Sequence, residues 1–111
     1  MKIIINAIIE IQPERRQGFL DLLQDWLPRV HKQQGCLRYD WAADSFMDNQ
    51  ILVFEEWEDK SALENHFAGE NFAVISNIVG AYGVLGASAR KFSIAKEGPV
   101  FNAEGKATAD F

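Results

Sequence analysis

At 111 residues and 48% hydrophobic content, the chain has the size and composition of one ordinary globular domain, which excludes a two-domain or disordered reading. Eleven Lys and Arg against sixteen Asp and Glu leave a net charge of −5, so nucleic acid and anionic membranes are poor partners. The lone cysteine, Cys36, excludes an intrachain disulfide, and no apolar run reaches the ~18 residues of a membrane span. The apolar N-terminus carries Lys2, Asn6 and Glu10 and reads as a strand, not a signal peptide, so a soluble cytoplasmic protein is expected.

Lys2 to Ile11 holds six isoleucines on both parities, which predicts a first strand covered on both faces. Helices can cover one face; a second copy of the chain is expected to cover the other. Pro13 and Glu14 suit a first helical turn. Phe19, Leu20, Leu23, Trp26, Leu27 and Val30 then form one apolar helical stripe, ended by Gly35. Pro28 within it predicts a kink or a break into two pieces.

Leu37 to Phe46 reads as the second strand, Met47 to Gln50 as a hairpin turn and Ile51 to Glu58 as the third strand. In the third strand Ile51, Val53, Glu55 and Trp57 share one face, and one of Glu55 and Glu56 is expected to be a structural acceptor. Asp59 or Ser61 can cap the next helix, and Ser61 to Glu64 has the capping-box pattern. That helix runs to Phe67, breaks at Gly69 and resumes over Asn71 to Val79. The glycines at 80, 83 and 86 predict a flexible link, and Ala87 to Lys96 a fourth strand. This βαββαβ order predicts an α+β, ferredoxin-like fold with an antiparallel sheet over residues 1–97. Residues 98–111 form a weakly patterned tail, expected to be partly disordered or to dock on the partner subunit.

Gly35-Cys36-Leu37-Arg38-Tyr39-Asp40, Phe54-Glu55-Glu56-Trp57-Glu58-Asp59 and Ala62-Leu63-Glu64-Asn65-His66-Phe67 together resemble the antibiotic biosynthesis monooxygenase-like domain, in its quinol monooxygenase-like branch. The likeness runs over about residues 2 to 97. It implies a homodimeric α/β-barrel with a pocket between sheet and helices in each subunit. It also implies an oxygenase without metal, flavin or heme, acting on a small phenolic, quinol or polyketide-like substrate with molecular oxygen. Asn6 matches a strand-one asparagine of the heme-degrading members, but Asn71 to Val79 lacks their iron-binding histidine, so heme degradation is not expected. Asn71 stands where several quinol-monooxygenase-like members place a second histidine.

His66 is the expected catalytic base, since imidazole titrates near neutral pH; the plain alternative is an exposed or helix-capping histidine. Asn6 is the expected donor to a substrate carbonyl or anion, or else ties down backbone. Trp57 and Tyr39 are candidate substrate-binding aromatics, or core and interface residues. Arg38 could hold an anionic substrate or form a salt bridge across the dimer, with the salt bridge favoured. Cys36 reads as a small filler, Trp26 and Trp41 as packing, and His31 and His66 are too far apart in sequence for metal-ligand spacing. Two other functions remain open: a non-redox isomerase on the same scaffold, and a non-catalytic small-molecule-binding dimer.

Overall fold

The structure, a computed structural model, describes residues 1–111. Eight elements follow in order: β1 (Ile3–Glu10), α1 (Pro13–Leu23), α2 (Leu27–His31), β2 (Cys36–Ala43), β3 (Gln50–Trp57), α3 (Lys60–Phe67), α4 (Glu70–Ala81) and β4 (Gly86–Ser93). The four strands form one antiparallel sheet in the order β2-β3-β1-β4. This is the ferredoxin-like α+β arrangement expected from the element order. Register runs Ile5 opposite Glu55 and Lys91, and Ala7 opposite Val53 and Ala89.

The apolar stripe of the first helical region faces the sheet, with Phe19, Leu20, Leu23 and Val30 buried. The chain breaks after Leu23 rather than kinking at Pro28. Proline therefore sits in the first turn of α2, where its missing N–H has no carbonyl to meet. In the β2–β3 hairpin Asp44 Oδ1 accepts the Phe46 and Met47 amides, at 2.8 and 3.0 Å. The Met47 and then the Phe46 amide hold the Asp44 carboxyl below its usual range. Arg16 of α1 donates Nη1 toward the carbonyls of Asp44, Met47 and Gln50, tying the turn to the helix layer.

Of the two expected caps, Asp59 and not Ser61 caps α3: its Oδ1 accepts the Ala62 amide at 2.8 Å, satisfying a first-turn donor. Gly80 lies inside α4 instead of in a link, so only residues 82–85 connect α4 to β4. In the tail, Phe101 bridges Ala107 across a small loop, with Val100, Phe101 and Phe111 exposed.

Gly35 precedes β2 at φ +81°, where its carbonyl accepts the Glu58 amide at 2.8 Å. A Cβ there would collide with Ala62 Cβ. Gly35→Ala is therefore expected to lower unfolding free energy by about 2–4 kcal/mol, from left-handed strain plus overpacking, read as a fall in the urea midpoint at unchanged slope.

Candidate active site

The inner face of β3 alternates as its pattern predicts: Ile51, Val53, Glu55 and Trp57 are all buried beneath the helices. Glu55 is the one ionisable member of that row, 8% exposed. Trp57 Nε1–H donates to its Oε1 at 3.0 Å, so Glu55 is the structural acceptor anticipated from the sequence. Burial pushes the Glu55 carboxyl up to about 6, and the Trp57 bond pulls it partly back. At neutral pH it is a carboxylate within reach of protonation.

Across the strand pair, Tyr39 of β2 lies opposite Glu55 and is 2% exposed. Burial first, and the Glu55 charge second, hold its phenol well above the usual range, so it stays a hydroxyl donor. One inward position further along, Trp41 stands opposite Val53. Its indole N–H is turned toward the Tyr39 hydroxyl and lowers that phenol's pKa slightly. The contact falls short of a full hydrogen bond, and the buried Nε1 has no partner. A buried donor of this kind costs free energy until something accepts from it.

Glu55, Tyr39 and Trp41 open onto a chamber of about 230 Å³ between the sheet and α4, walled otherwise mainly by apolar side chains, including Ile5, Ala7, Phe72 and Ile75. Ser76 adds a hydroxyl to the α4 wall. Apolar walls with a few convergent polar groups are the usual make-up of a small-molecule site.

His66 is neither exposed nor a helix cap. It is 1% exposed and stacks on Trp57, with centroids 4.6 Å apart and planes at 29°. It meets Tyr39 edge-on at 5.5 Å and Phe72 at 5.4 Å, one ring behind the chamber wall. Gln33 Oε1 lies 3.2 Å from His66 Nδ1 and accepts from Asn71 Nδ2 at 3.2 Å. With the amides so oriented, Nδ1 carries the proton and Nε2 is the basic nitrogen. Asn71, where a second histidine was considered, instead steadies the first. Burial pushes the His66 imidazole down to about 4, so it is neutral at pH 7 and a weaker base than Glu55.

The expected site residues thus divide. His66, Trp57 and Tyr39 gather around Glu55 on the inner face. Trp57 is fully buried and reaches the chamber through the carboxylate it holds rather than as a wall. Asn6 and Arg38 lie on the opposite face of the sheet, so the expectation of one cavity shared by Asn6 and His66 is not met. Parity is the reason: Asn6 alternates with the inward Ile5 and Ala7 and pairs with Phe54 and Arg90. Arg38 closes an ion pair with Asp40 of its own strand, Nε and Nη2 both reaching Oδ2. Cys36 has its thiol pushed up to about 11 by burial, which suits a filler and not a nucleophile. No three or more His, Cys, Asp and Glu side chains converge as metal ligands.

Two site residues were missed as such. Glu55 was assigned to structure alone, although a charge among inward Ile51, Val53 and Trp57 is a signal in its own right. Trp41 was assigned to packing, and its unsatisfied N–H has no signature in the sequence. Trp57→Phe removes the donor that stabilises the carboxylate. The acid limb of the activity profile is then expected to move to higher pH, whereas a purely packing role would leave the limb in place.

The residue pattern of the antibiotic biosynthesis monooxygenase family matches residues 2–77. Among curated relatives, the "Uncharacterized protein sll1783" of Synechocystis is 31% identical over 65 residues, 59% of this chain but 44% of its own length. The "Putative monooxygenase YcnE" of Bacillus subtilis is 28% identical over 64 residues, 58% of this chain and 67% of its own. The chain therefore matches less than half of the Synechocystis protein. A crystal structure from Deinococcus radiodurans, titled a "putative antibiotic biosynthesis monooxygenase", superposes with a TM-score of 0.81 at 16% identity, over 90% of this chain and 99% of that one. At that identity the superposition speaks for the fold, while the match over residues 2–77 covers most of the domain and shows that the chain belongs to the antibiotic biosynthesis monooxygenase family.

Proposed function

We propose that the chain is a cofactor-independent monooxygenase of small phenolic, quinol or polyketide-like substrates. The observation that carries this reading is the mostly apolar chamber whose lining brings together a carboxylate poised near pH 6, a Tyr39 hydroxyl held protonated and Trp41, whose buried indole N–H has no partner. Molecular oxygen reacts slowly with closed-shell organic molecules, but an electron-rich phenolate can give it one electron. Glu55 takes the phenolic proton, and Trp41 Nε1–H and the Tyr39 hydroxyl stabilise the oxyanion so formed. Transfer of one electron to oxygen and recombination at a ring carbon give a hydroperoxide. Loss of water then leaves a carbonyl. For a quinol the sum is quinol plus O₂ giving hydroxyquinone plus H₂O, with one oxygen atom kept in the ring and the other reduced to water. His66 supports the site by fixing the Trp57 and Tyr39 rings.

The test is oxygen uptake with a panel of hydroquinones and anthrones, with one O₂ consumed per product. Turnover under argon would favour a non-redox reaction on the same scaffold and sink the oxygenase reading.

The reading includes a homodimer. Ile8, Leu52 and Phe92 on the outer sheet face are 40%, 40% and 45% exposed, beside Ile4, Asn6 and Phe54, a row that a second sheet would bury. The protruding 98–111 arm, with Val100 and Phe101 61% and 62% exposed, suits docking on that partner. Sedimentation is expected to give twice the 12.5 kDa chain mass at micromolar concentration, and Ile8→Glu to give the monomer. A wild-type monomer would remove the dimer from the proposal.

A further inference from the structure

Residues paired across neighbouring strands stand at one level, so the outward face of the sheet can be taken in rows. Asp40, Phe54, Asn6 and Arg90 make one row, running across β2, β3, β1 and β4. Leu52 and Ile8 stand side by side in the row on one side of it, and Arg38 and Phe92 end the row on the other.

The two ends of the Asp40–Arg90 row carry unused charge. Arg90 is exposed on the edge strand β4 and forms none of the protein's ion pairs. Asp40, on the opposite edge strand, gives Oδ2 to Arg38 Nε and Nη2 at 2.9 and 2.6 Å. Its Oδ1 accepts no hydrogen bond, His31 Nε2 standing 4.0 Å away.

Two copies of this sheet packed face to face with aligned strands lie about 10 Å apart, related by a two-fold axis between them. An axis across the strands sets each strand on its own copy. β4 then covers β4, whose outward positions are Gly86, Ser88, Arg90 and Phe92, so Arg90 is buried with no carboxylate opposite it. An axis along the strands, between β3 and β1, sets β2 on the partner's β4 and keeps every level. Asp40 then meets the partner's Arg90, and symmetry makes the pair twice. The same operation lays Leu52 on the partner's Ile8. It also sets Arg38, whose guanidinium already lies over the Phe54 ring at 5.6 Å, on the partner's Phe92.

We infer that a second copy docks on the outer sheet face about a two-fold axis along the strands, with Asp40 of each subunit paired to the partner's Arg90. This rests on the homodimer reading and adds the charges that fix its register. Asp40 stands between Tyr39 and Trp41, so the pair anchors the edge strand that carries two walls of the chamber.

Arg90→Glu sets two carboxylates against each other, and Asp40→Lys two cations. Each variant alone is expected to raise the dimer dissociation constant at least about tenfold in sedimentation while keeping the wild-type circular dichroism spectrum. A one-to-one mixture of the two is expected to sediment as a mixed dimer, because one pair is then native and the other charge-reversed. Wild-type affinity in both variants, or a mixture that stays monomeric, overturns this arrangement and leaves the dimer standing; a wild-type monomer removes both. Should either reversal fail to fold, Arg90→Gln carries the test: it drops the charge and keeps a polar side chain. A weaker dimer supports the pairing, and an unchanged one overturns it.

Discussion

Glu55→Gln is expected to lower oxygen uptake at pH 7 by roughly 10²–10⁴-fold, the span of a lost general base, while the protein stays folded. Glutamine keeps the shape of the side chain and an oxygen that can accept from Trp57 Nε1, so the hydrogen bond at 3.0 Å has a counterpart in the variant. What disappears is the ability to take a proton. The wild-type profile of kcat/KM against pH supplies the matching signature. The carboxyl is pushed up to about 6 by burial, so activity should rise as pH climbs through that value and level off above it. In Glu55→Gln the residual activity should lack this limb. Equal activity in wild type and variant would hand the base role back to another group, with His66, the base expected from the sequence, the first candidate. His66→Gln separates the cases: a base at His66 gives a loss as large as that of Glu55→Gln, whereas a supporting ring gives a smaller one with the limb near 6 retained.

The second large effect is on stability. His66 is buried neutral, with its imidazole pushed down to about 4 from 6.5. Between those values the unfolded chain binds a proton that the folded chain refuses, so stability falls as pH drops from about 6.5 to about 4 and is level outside that window. Glu55 works in the opposite sense. Its folded value, raised from 4.5 to about 6, means that the folded chain binds the extra proton, and stability is gained as pH falls from about 6 to about 4.5. The His66 contribution is about 2–3 kcal/mol after allowance for residual solvent access, and the Glu55 contribution about 1–2 kcal/mol, so the two oppose each other through most of their range. Urea unfolding should show this as a difference between chains. The stability of wild type minus that of His66→Gln is expected to change by about 2–3 kcal/mol between pH 7 and pH 4, with wild type the relative loser in acid. A difference that does not vary with pH would mean that His66 titrates normally.

Much of the fold was legible because short-range physics decides it. Alternation in Ile51–Trp57, the stripe from Phe19 to Val30, Asp59 before α3 and Gly69 between two helical pieces each specify an element without help from distant residues. Element boundaries were less legible, because neighbouring local signals competed there. Asp59 and the Ser61–Glu64 pattern were both available as caps and Asp59 was used, while Gly80, expected in the link, lies in the last turn of α4, one residue from its end, where a helical glycine costs only about 1 kcal/mol.

The site was legible by half. The pattern in β3 placed Glu55 and Trp57 on one face, and the sequence placed His66 on α3, but its burial among four rings follows from how an eight-residue helix is rolled against the sheet. Asn6 shows the limit most clearly. A strand with isoleucine at 3, 5 and 9 and again at 4 and 8 has two apolar faces, and parity says only that Asn6 belongs with one of them. The amino-acid sequence by itself determined the order of elements, the family and the pairing of Asn6 with Ile4 and Ile8. Only the tertiary structure decided which face looks inward, because that choice depends on where the helices bury their own apolar stripes. The same choice put Glu55, Tyr39 and Trp41 around a chamber and left Asn6 on the face free for a second subunit.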